Sequence, residues 1–203
     1  IVEEAGGFWL KETGYQTLHG YGVMPVRLEI TKEEDGRFFN QVIMVDRIRS
    51  PLIAGEANCT IWDGNDDGYE DILYYRGYDG GSGGSWDFYD LLCWSEEEQE
   101  FIKTKLPSCT SINFEEHKLY SRGQVGASHE FYEIYGLQSG EYRLEKELEL
   151  LYEVWADDKI VDLAIYSEYG VVIEETVITE LDRYEAQAFL EEKYPEFNFW
   201  RQG

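Results

Sequence analysis

Short strand-like runs separated by turn residues constrain the fold of this chain more than any other sequence feature. "VMPVRLEIT" and "RFFNQVIMVDR" are rich in β-branched and aromatic residues, and "KEEDG" joins them through Asp35 and Gly36, which favour a hairpin turn. We therefore predict a mainly β fold, an antiparallel meander that forms a sandwich or an open barrel.

The same pattern continues along the chain. "CTIWD", "DILYYRGY" and "SWDFYDLLCW" predict strands, and "SEEEQEFIKTKL" predicts a hairpin tip, with a short helical turn as the alternative. "SHEFYEIYGLQSGEYRLEKELELLYEVW" predicts two strands around "GLQSG". "ADDK" and "EYG" then indicate turns into "IVDLAIYSE" and "VVIEETVI".

One helix is predicted near the end of the sequence. Asp182 and Glu185 match a capping box, and "RYEAQAFLEEKY" carries apolar residues at helical spacing before Pro195. The helix is expected over residues 182 to 194, as part of a single domain of residues 1–203.

The chain is strongly acidic, with 42 acidic and 17 basic residues and a formal charge of −25. Its 43% hydrophobic and 16% aromatic content nevertheless indicates a folded protein. Such a charge repels nucleic acid and anionic lipid headgroups and attracts cations and basic proteins. Simple solubility is the alternative explanation.

Cellular location and redox state are only partly constrained. No apolar run approaches the ~20 residues that span a bilayer, so no membrane span is expected. The first residue is Ile1, which suggests trimming or processing but leaves the compartment open. Cys59, Cys93 and Cys109 lack zinc spacing, and they fit either one disulfide plus a free thiol or three reduced cysteines.

The segment "DGNDDGYED" predicts a calcium site. Asp63, Asn65, Asp67 and Asp71 occupy positions one, three, five and nine of a loop with glycine at position six. Their oxygens, the Tyr69 backbone carbonyl and water would supply the hard ligands that Ca²⁺ prefers. A single structural calcium ion is therefore expected.

Three other kinds of loop share part of this spacing. Position twelve is Tyr74 and a strand follows, so an EF-hand, with its glutamate and second helix, is rejected. The spacing is also similar to calcium loops of propeller repeats, but it occurs once. An Asx-rich turn without metal remains the alternative.

No catalytic apparatus is visible in the sequence. Pairs of carboxylates do not indicate a glycoside hydrolase here, because so many acidic residues are present that pairs are expected by chance. Only the distance between two carboxylates would indicate glycoside hydrolysis. His19, His117 and His129 are scattered, and no nucleophile elbow or phosphate-binding glycine motif is present. We expect a protein that is not an enzyme.

Over roughly residues 40 to 155, the chain resembles a family of bacterial envelope proteins. The resemblance rests on "TIWDGNDDGYEDILYY", a Gly/Ser loop, "SWDFYDLLCW" and "SINFEEHKLYSRGQVGASHEFYEIYGLQSGEYRLEKE". That family is typified by a calcium-binding immunity protein of a type IV secretion system and is similar to periplasmic inhibitors of invertebrate-type lysozyme. The resemblance implies a cationic lysozyme-like hydrolase as partner.

Inhibitors of this type carry a short loop that enters the enzyme's cleft. The similar segment here has tryptophan where the family pattern has tyrosine, and its residues are Ser82, Gly83, Gly84, Ser85 and Trp86. The alternative for this segment is a flexible hairpin turn with Trp86 facing the core.

The alternative function for the whole chain is an extracellular glycan-binding or adhesive module that uses its abundant aromatic side chains.

Overall fold

A computed structural model describes residues 2–5, 8–14, 24–34, 37–47, 59–81, 84–126, 128–155, 158–178, 181 and 183–197. These residues form antiparallel β-sheets and one α-helix, and the chain divides into two compact units. The first unit comprises residues of 1–79 and 87–108, and the second comprises residues of 80–86 and 109–203. No helix in the described ranges is long and apolar enough to cross a membrane.

The first unit is a β-sandwich of two four-stranded sheets. The strands of the first sheet, in spatial order, are β1 (Val2–Ala5), β2 (Phe8–Gly14), β3 (Met24–Glu34) and β4 (Arg37–Arg47). Those of the second sheet are β5 (Cys59–Trp62), β6 (Asp71–Gly81), β7 (Gly84–Ser95) and β8 (Glu100–Lys105). Each strand therefore pairs with its sequence neighbour, as a meander requires.

Apolar side chains from both sheets form the core of the sandwich. Val26, Leu28 and Ile30 of β3 are buried, whereas Arg27 between them is exposed, the alternation expected of a strand with one face in the core. The residues of this core are Phe8, Leu10, Val26, Leu28, Ile30, Val45, Cys59, Ile72, Tyr74, Leu92 and Phe101.

One side chain connects the two sheets along an edge. Gln41 of β4 donates from Nε2 to the carbonyl oxygen of Phe101 in β8 (2.8 Å), and the Phe101 amide donates to Gln41 Oε1 (2.7 Å). Both strands lie at sheet edges, so the Gln41 amide satisfies backbone groups that a further strand would otherwise pair. The sheets thus remain open, as in a sandwich rather than a closed barrel.

The second unit is a six-stranded sheet with a helix packed on one face. Its strands, in spatial order, are β14 (Val171–Val177), β13 (Asp158–Glu168), β12 (Glu141–Trp155), β11 (His129–Gln138), β10 (Lys118–Gln124) and β9 (Ser111–Asn113). The helix is α1 (Arg183–Lys193). Ala186 and Leu190 of α1, with Tyr194 and Phe197 after it, pack in one core with Tyr132, Ile134, Leu148, Leu150 and Ala164 of the sheet.

The predicted mainly β fold with a C-terminal helix is confirmed. Each strand-like run predicted from the sequence corresponds to a strand, although Asp63 and Ile178 lie just beyond the ends of β5 and β14, and Val23 lies outside the described residues. The segment "SEEEQEFIKTKL" forms the turn between β7 and β8 and then β8 itself, as the hairpin prediction requires. The strands β1, β2, β9 and β10 were not predicted individually. The single-domain prediction stays a prediction, because a folding domain is defined by cooperative unfolding.

Candidate metal-binding turn and glycine-rich connection

The predicted metal ligands lie on the connection between β5 and β6. β5 ends at Trp62 and β6 begins at Asp71, so the connection is residues 63 to 70 and Asp71 is the first residue of the next strand. Asp66 and Gly68 have φ angles of 58° and 89°, left-handed values that aspartate tolerates and glycine adopts without strain. Two left-handed residues in so short a connection make it turn tightly.

Side-chain oxygens of this turn accept hydrogen bonds from its own backbone amides. Asp63 accepts from the amides of Asp67 (3.1 Å) and Gly68 (2.9 Å). Asn65 Oδ1 also accepts from the Asp67 amide (3.2 Å), and Asp67 Oδ1 accepts from the Tyr69 amide (2.9 Å). Asn65 Nδ2 donates to Asp67 Oδ2 (2.8 Å). These bonds bring Asp63, Asn65 and Asp67 together, and they are bonds that an Asx-rich turn also makes without metal.

Asp71 anchors the turn to the sheet. Its side chain is fully buried, with Oδ2 accepting from the Gly64 amide (3.0 Å) and Oδ1 accepting from the Trp94 amide of β7 (2.9 Å). Burial raises the pKa of Asp71 to about 6 against the opposing effect of these two amides, and the charge of Asp67 raises it further. Asp71 therefore fixes the start of the turn to the neighbouring strand.

Cys93 lies beside this anchor. Burial, and after it the charge of Asp71, raises the pKa of the Cys93 thiol to about 12. The thiol therefore stays protonated at neutral pH and is neither a good nucleophile nor a good metal ligand. No disulfide bond joins Cys59, Cys93 and Cys109, and Cys59 and Cys109 are buried.

Gly64 allows the turn to pass closely over the sheet. A Cβ atom at this position would lie 2.6 and 2.8 Å from the two methyl carbons of Leu91 and 3.2 Å from the Trp62 ring. Leu91 is buried, so its side chain has little room to move. Packing against Leu91 therefore favours glycine at position 64, whereas the hydrogen bond to Asp71 uses a backbone N–H that every residue except proline carries.

The donor set of the turn fits a hard cation. Asp63, Asn65 and Asp67 offer carboxylate and amide oxygens, Tyr69 can add its backbone carbonyl, and Asp71 retains lone pairs beyond the two amide bonds. Within the described ranges, no three His, Cys, Asp or Glu side chains are gathered at metal-ligating spacing. Calcium binding by the predicted ligands therefore stays a prediction.

The glycine-rich segment connects β6 to β7. Ser82 and Gly83 lie outside the described residues, whereas Gly84, Ser85 and Trp86 begin β7, with side chains outside the description. β6 runs from Asp71 to Gly81, so the turn of residues 63 to 70 precedes this strand and the glycine-rich connection follows it.

Sequence reasoning missed two partners of the site, Gly64 and Trp94. The Asp63-Gly64 pair carried a turn signal that pointed to Gly64. No sequence signal connects Asp71 with the Trp94 amide, because that bond joins residues 23 positions apart through strand pairing.

Comparison with known proteins gives a likeness of fold. No family model and no curated protein matches the chain. Among solved structures, the chain is similar to a Xanthomonas type IV secretion system related protein, with 17% sequence identity and a TM-score of 0.50. The match covers 88% of this chain and 93% of that one. At this identity, the likeness concerns the fold over nearly the full length of both chains.

Proposed function

We propose that this chain is a non-enzymatic calcium-binding protein of the bacterial cell envelope that inhibits a cationic, lysozyme-like peptidoglycan hydrolase. The observation that carries the proposal is the turn of residues 63 to 71, whose oxygen side chains follow calcium-loop spacing in the sequence, accept hydrogen bonds from backbone amides and anchor the turn to a sheet. The fold shared with a type IV secretion system related protein supports the envelope assignment.

Asp63, Asn65, Asp67, Asp71 and the Tyr69 carbonyl would hold the ion. A bound calcium ion supplies the positive charge that offsets repulsion among these carboxylates. The chain's own contribution is to pre-position the ligands through the amides of Gly64, Asp67, Gly68 and Trp94. In this arrangement, calcium stabilises the junction of β5, β6 and β7.

The proposed inhibitory segment is Ser82 to Trp86, at the other end of β6. Glycines allow a chain to approach another surface closely, and a tryptophan supplies a large apolar contact for an enzyme's cleft. The charge of −25 supports a basic partner, because opposite charge raises the rate of encounter. The hydrolase is therefore expected to bind faster at low ionic strength.

Inhibition assays against several lysozyme classes test this function. We expect at least one class to be inhibited, and Trp86→Ala to weaken that inhibition at least about tenfold, as loss of a central aromatic anchor does. Trp9→Ala, which removes an exposed tryptophan on β2, is the matched control and should inhibit like the wild type. Circular dichroism checks that both variants fold.

Unimpaired hydrolysis at saturating protein in every class would contradict the proposal. Equal inhibition by wild type and Trp86→Ala would exclude the role of the segment. If inhibition fails and the protein binds on a glycan array, the glycan-binding alternative is supported instead.

A further inference from the structure

The strand β14 forms one edge of the six-stranded sheet and exposes an unusual amount of apolar surface. It is the terminal strand of the sheet order and pairs with β13 on one side. The exposed fractions of Val171, Val172, Ile173 and Val177 are 61%, 54%, 57% and 72%. Natural edge strands are commonly protected by charged side chains, proline or bulges, and in "VVIEETV" the charged side chains are confined to Glu174 and Glu175.

The hairpin turn fixes which backbone groups face away from the sheet. Tyr169 and Gly170, with φ angles of 50° and 75°, form a two-residue turn that joins β13 to β14 and pairs Val171 with Glu168. Val171 is then a hydrogen-bonded residue of the ladder, so the N–H and C=O of Val172 point outward. The register shifts near Ile173, and pairing resumes from Glu174 to Val177.

The two faces of β14 carry different chemistry. Glu174 and Thr176 face α1, where Lys193 Nζ lies 2.7 Å from Glu174 Oε1 and 2.9 Å from Thr176 Oγ1. Glu175 and Val177 point to the opposite face by strand alternation, and both are exposed. A strand added beside β14 would therefore meet aliphatic side chains and an exposed carboxylate.

Electrostatics select the kind of strand that fits. Antiparallel pairing of β14 with a second copy, centred on the strand, would place Glu174 opposite Glu174 of the copy and Glu175 opposite Ile173, and it would join two chains of charge −25. Like charges directly opposite across strands are destabilising, whereas opposite charges are favourable. We propose that β14 binds an extended segment of another protein, with lysine or arginine alternating with aliphatic residues, as an added strand.

This proposal goes beyond the inhibitory role because it assigns a second interaction surface on a different strand. Main-chain hydrogen bonds from the β14 edge would provide affinity, and basic side chains opposite Glu175 would provide selectivity. The two functions fail independently, since the inhibition assays vary Trp86 and the experiment below varies β14.

Binding of two synthetic peptides tests the proposal. Fluorescence anisotropy compares a peptide of alternating valine and lysine with one of alternating valine and glutamate. We expect the wild type to bind the lysine peptide and not the glutamate peptide. Val172→Pro removes an outward N–H without changing charge and should weaken binding at least about tenfold. Val172→Thr keeps the N–H and should bind like the wild type.

A second variant keeps the test decisive if Val172→Pro does not fold. Glu175→Lys changes only an exposed side chain and should shift the preference from the lysine peptide toward the glutamate peptide. Equal binding by wild type, Val172→Pro and Glu175→Lys would overturn the proposal. So would self-association of the wild type that Val172→Pro abolishes, since it would show that the edge pairs with a second copy.

Discussion

Gly64 is the residue at which packing most directly limits the candidate site. The turn passes over Leu91 here, and a methyl group would lie 2.6 Å from one of its methyl carbons. We expect Gly64→Ala to lower the free energy of unfolding by about 1–3 kcal/mol, because overpacking a filled site forces side chains or backbone to shift. Urea unfolding of the metal-free protein measures this change.

A double-mutant cycle separates this clash from the general cost of changing a glycine. Leu91→Val removes the two methyl carbons nearest to position 64, so Gly64→Ala should cost less in that background. Strict additivity of the two substitutions would contradict the assigned contact.

The residues of the site differ in how far they could be predicted from the sequence. Asp63, Asn65 and Asp67 were predictable together, because their grouping depends on local spacing and on a glycine at position 68. The anchoring of Asp71 to the Trp94 amide was not, because it depends on the pairing of strands far apart in sequence. The turn of residues 63 to 70 and the glycine-rich connection are close in sequence, yet the strand β6 separates them.

At the scale of elements, the pairing of β11 with β12 places two glutamates opposite each other. Glu133 and Glu147 are register partners, and burial is the main cause that raises the pKa of each. Glu149 and Glu133 raise the pKa of Glu147 further, and His129, whose Nε2 lies 2.9 Å from Glu149 Oε2, lowers it. The carboxyl groups of Glu133 and Glu147 therefore bind protons more tightly in the folded state than in the unfolded state.

The sign of the resulting pH dependence follows from linkage. Groups with a raised pKa in the folded state stabilise the fold at low pH, and this stability is lost as the pH rises above their ordinary value of 4.5. Glu147→Gln should flatten that loss and raise the free energy of unfolding at neutral pH by up to about 1 kcal/mol. Unfolding at several pH values measures it, with Glu116→Gln on an exposed turn as control. Identical pH profiles for both variants would contradict the assignment.

Elements with local turn signals were predictable, and elements defined by distant partners were not. The turns at Ser139-Gly140 and Tyr169-Gly170 have left-handed φ angles at both residues, and both were visible in the sequence as turn signals between strand-like runs. β9 has three residues and gains its identity from pairing with β10. A run of three residues is too short to show the alternation by which a strand is predicted.

At the scale of the whole molecule, composition and alternation predicted the fold class but not its division. An apolar content of 43% in a chain of charge −25 predicted a folded acidic protein, and the pattern of strand-like runs predicted antiparallel sheets. The separation into a sandwich and a sheet with a helix depends on which strands share a core. Contacts between residues far apart in the sequence determine which strands share a core, and the periodicity of the sequence does not show these contacts.

The central claim is that one calcium ion binds the turn of residues 63 to 71. Calorimetric titration of calcium into the metal-free protein tests it most directly, using wild type, Asp67→Asn and Asp66→Asn. The two variants lose the same charge from neighbouring exposed positions, but only Asp67 belongs to the proposed ligand set.

We expect one ion per chain for wild type and Asp66→Asn, and loss of binding for Asp67→Asn. Calcium at about one hundred times its dissociation constant should then stabilise the two binding proteins by about 2.7 kcal/mol. The absence of calcium binding by the wild type, or equal binding by Asp67→Asn and Asp66→Asn, would contradict the claim.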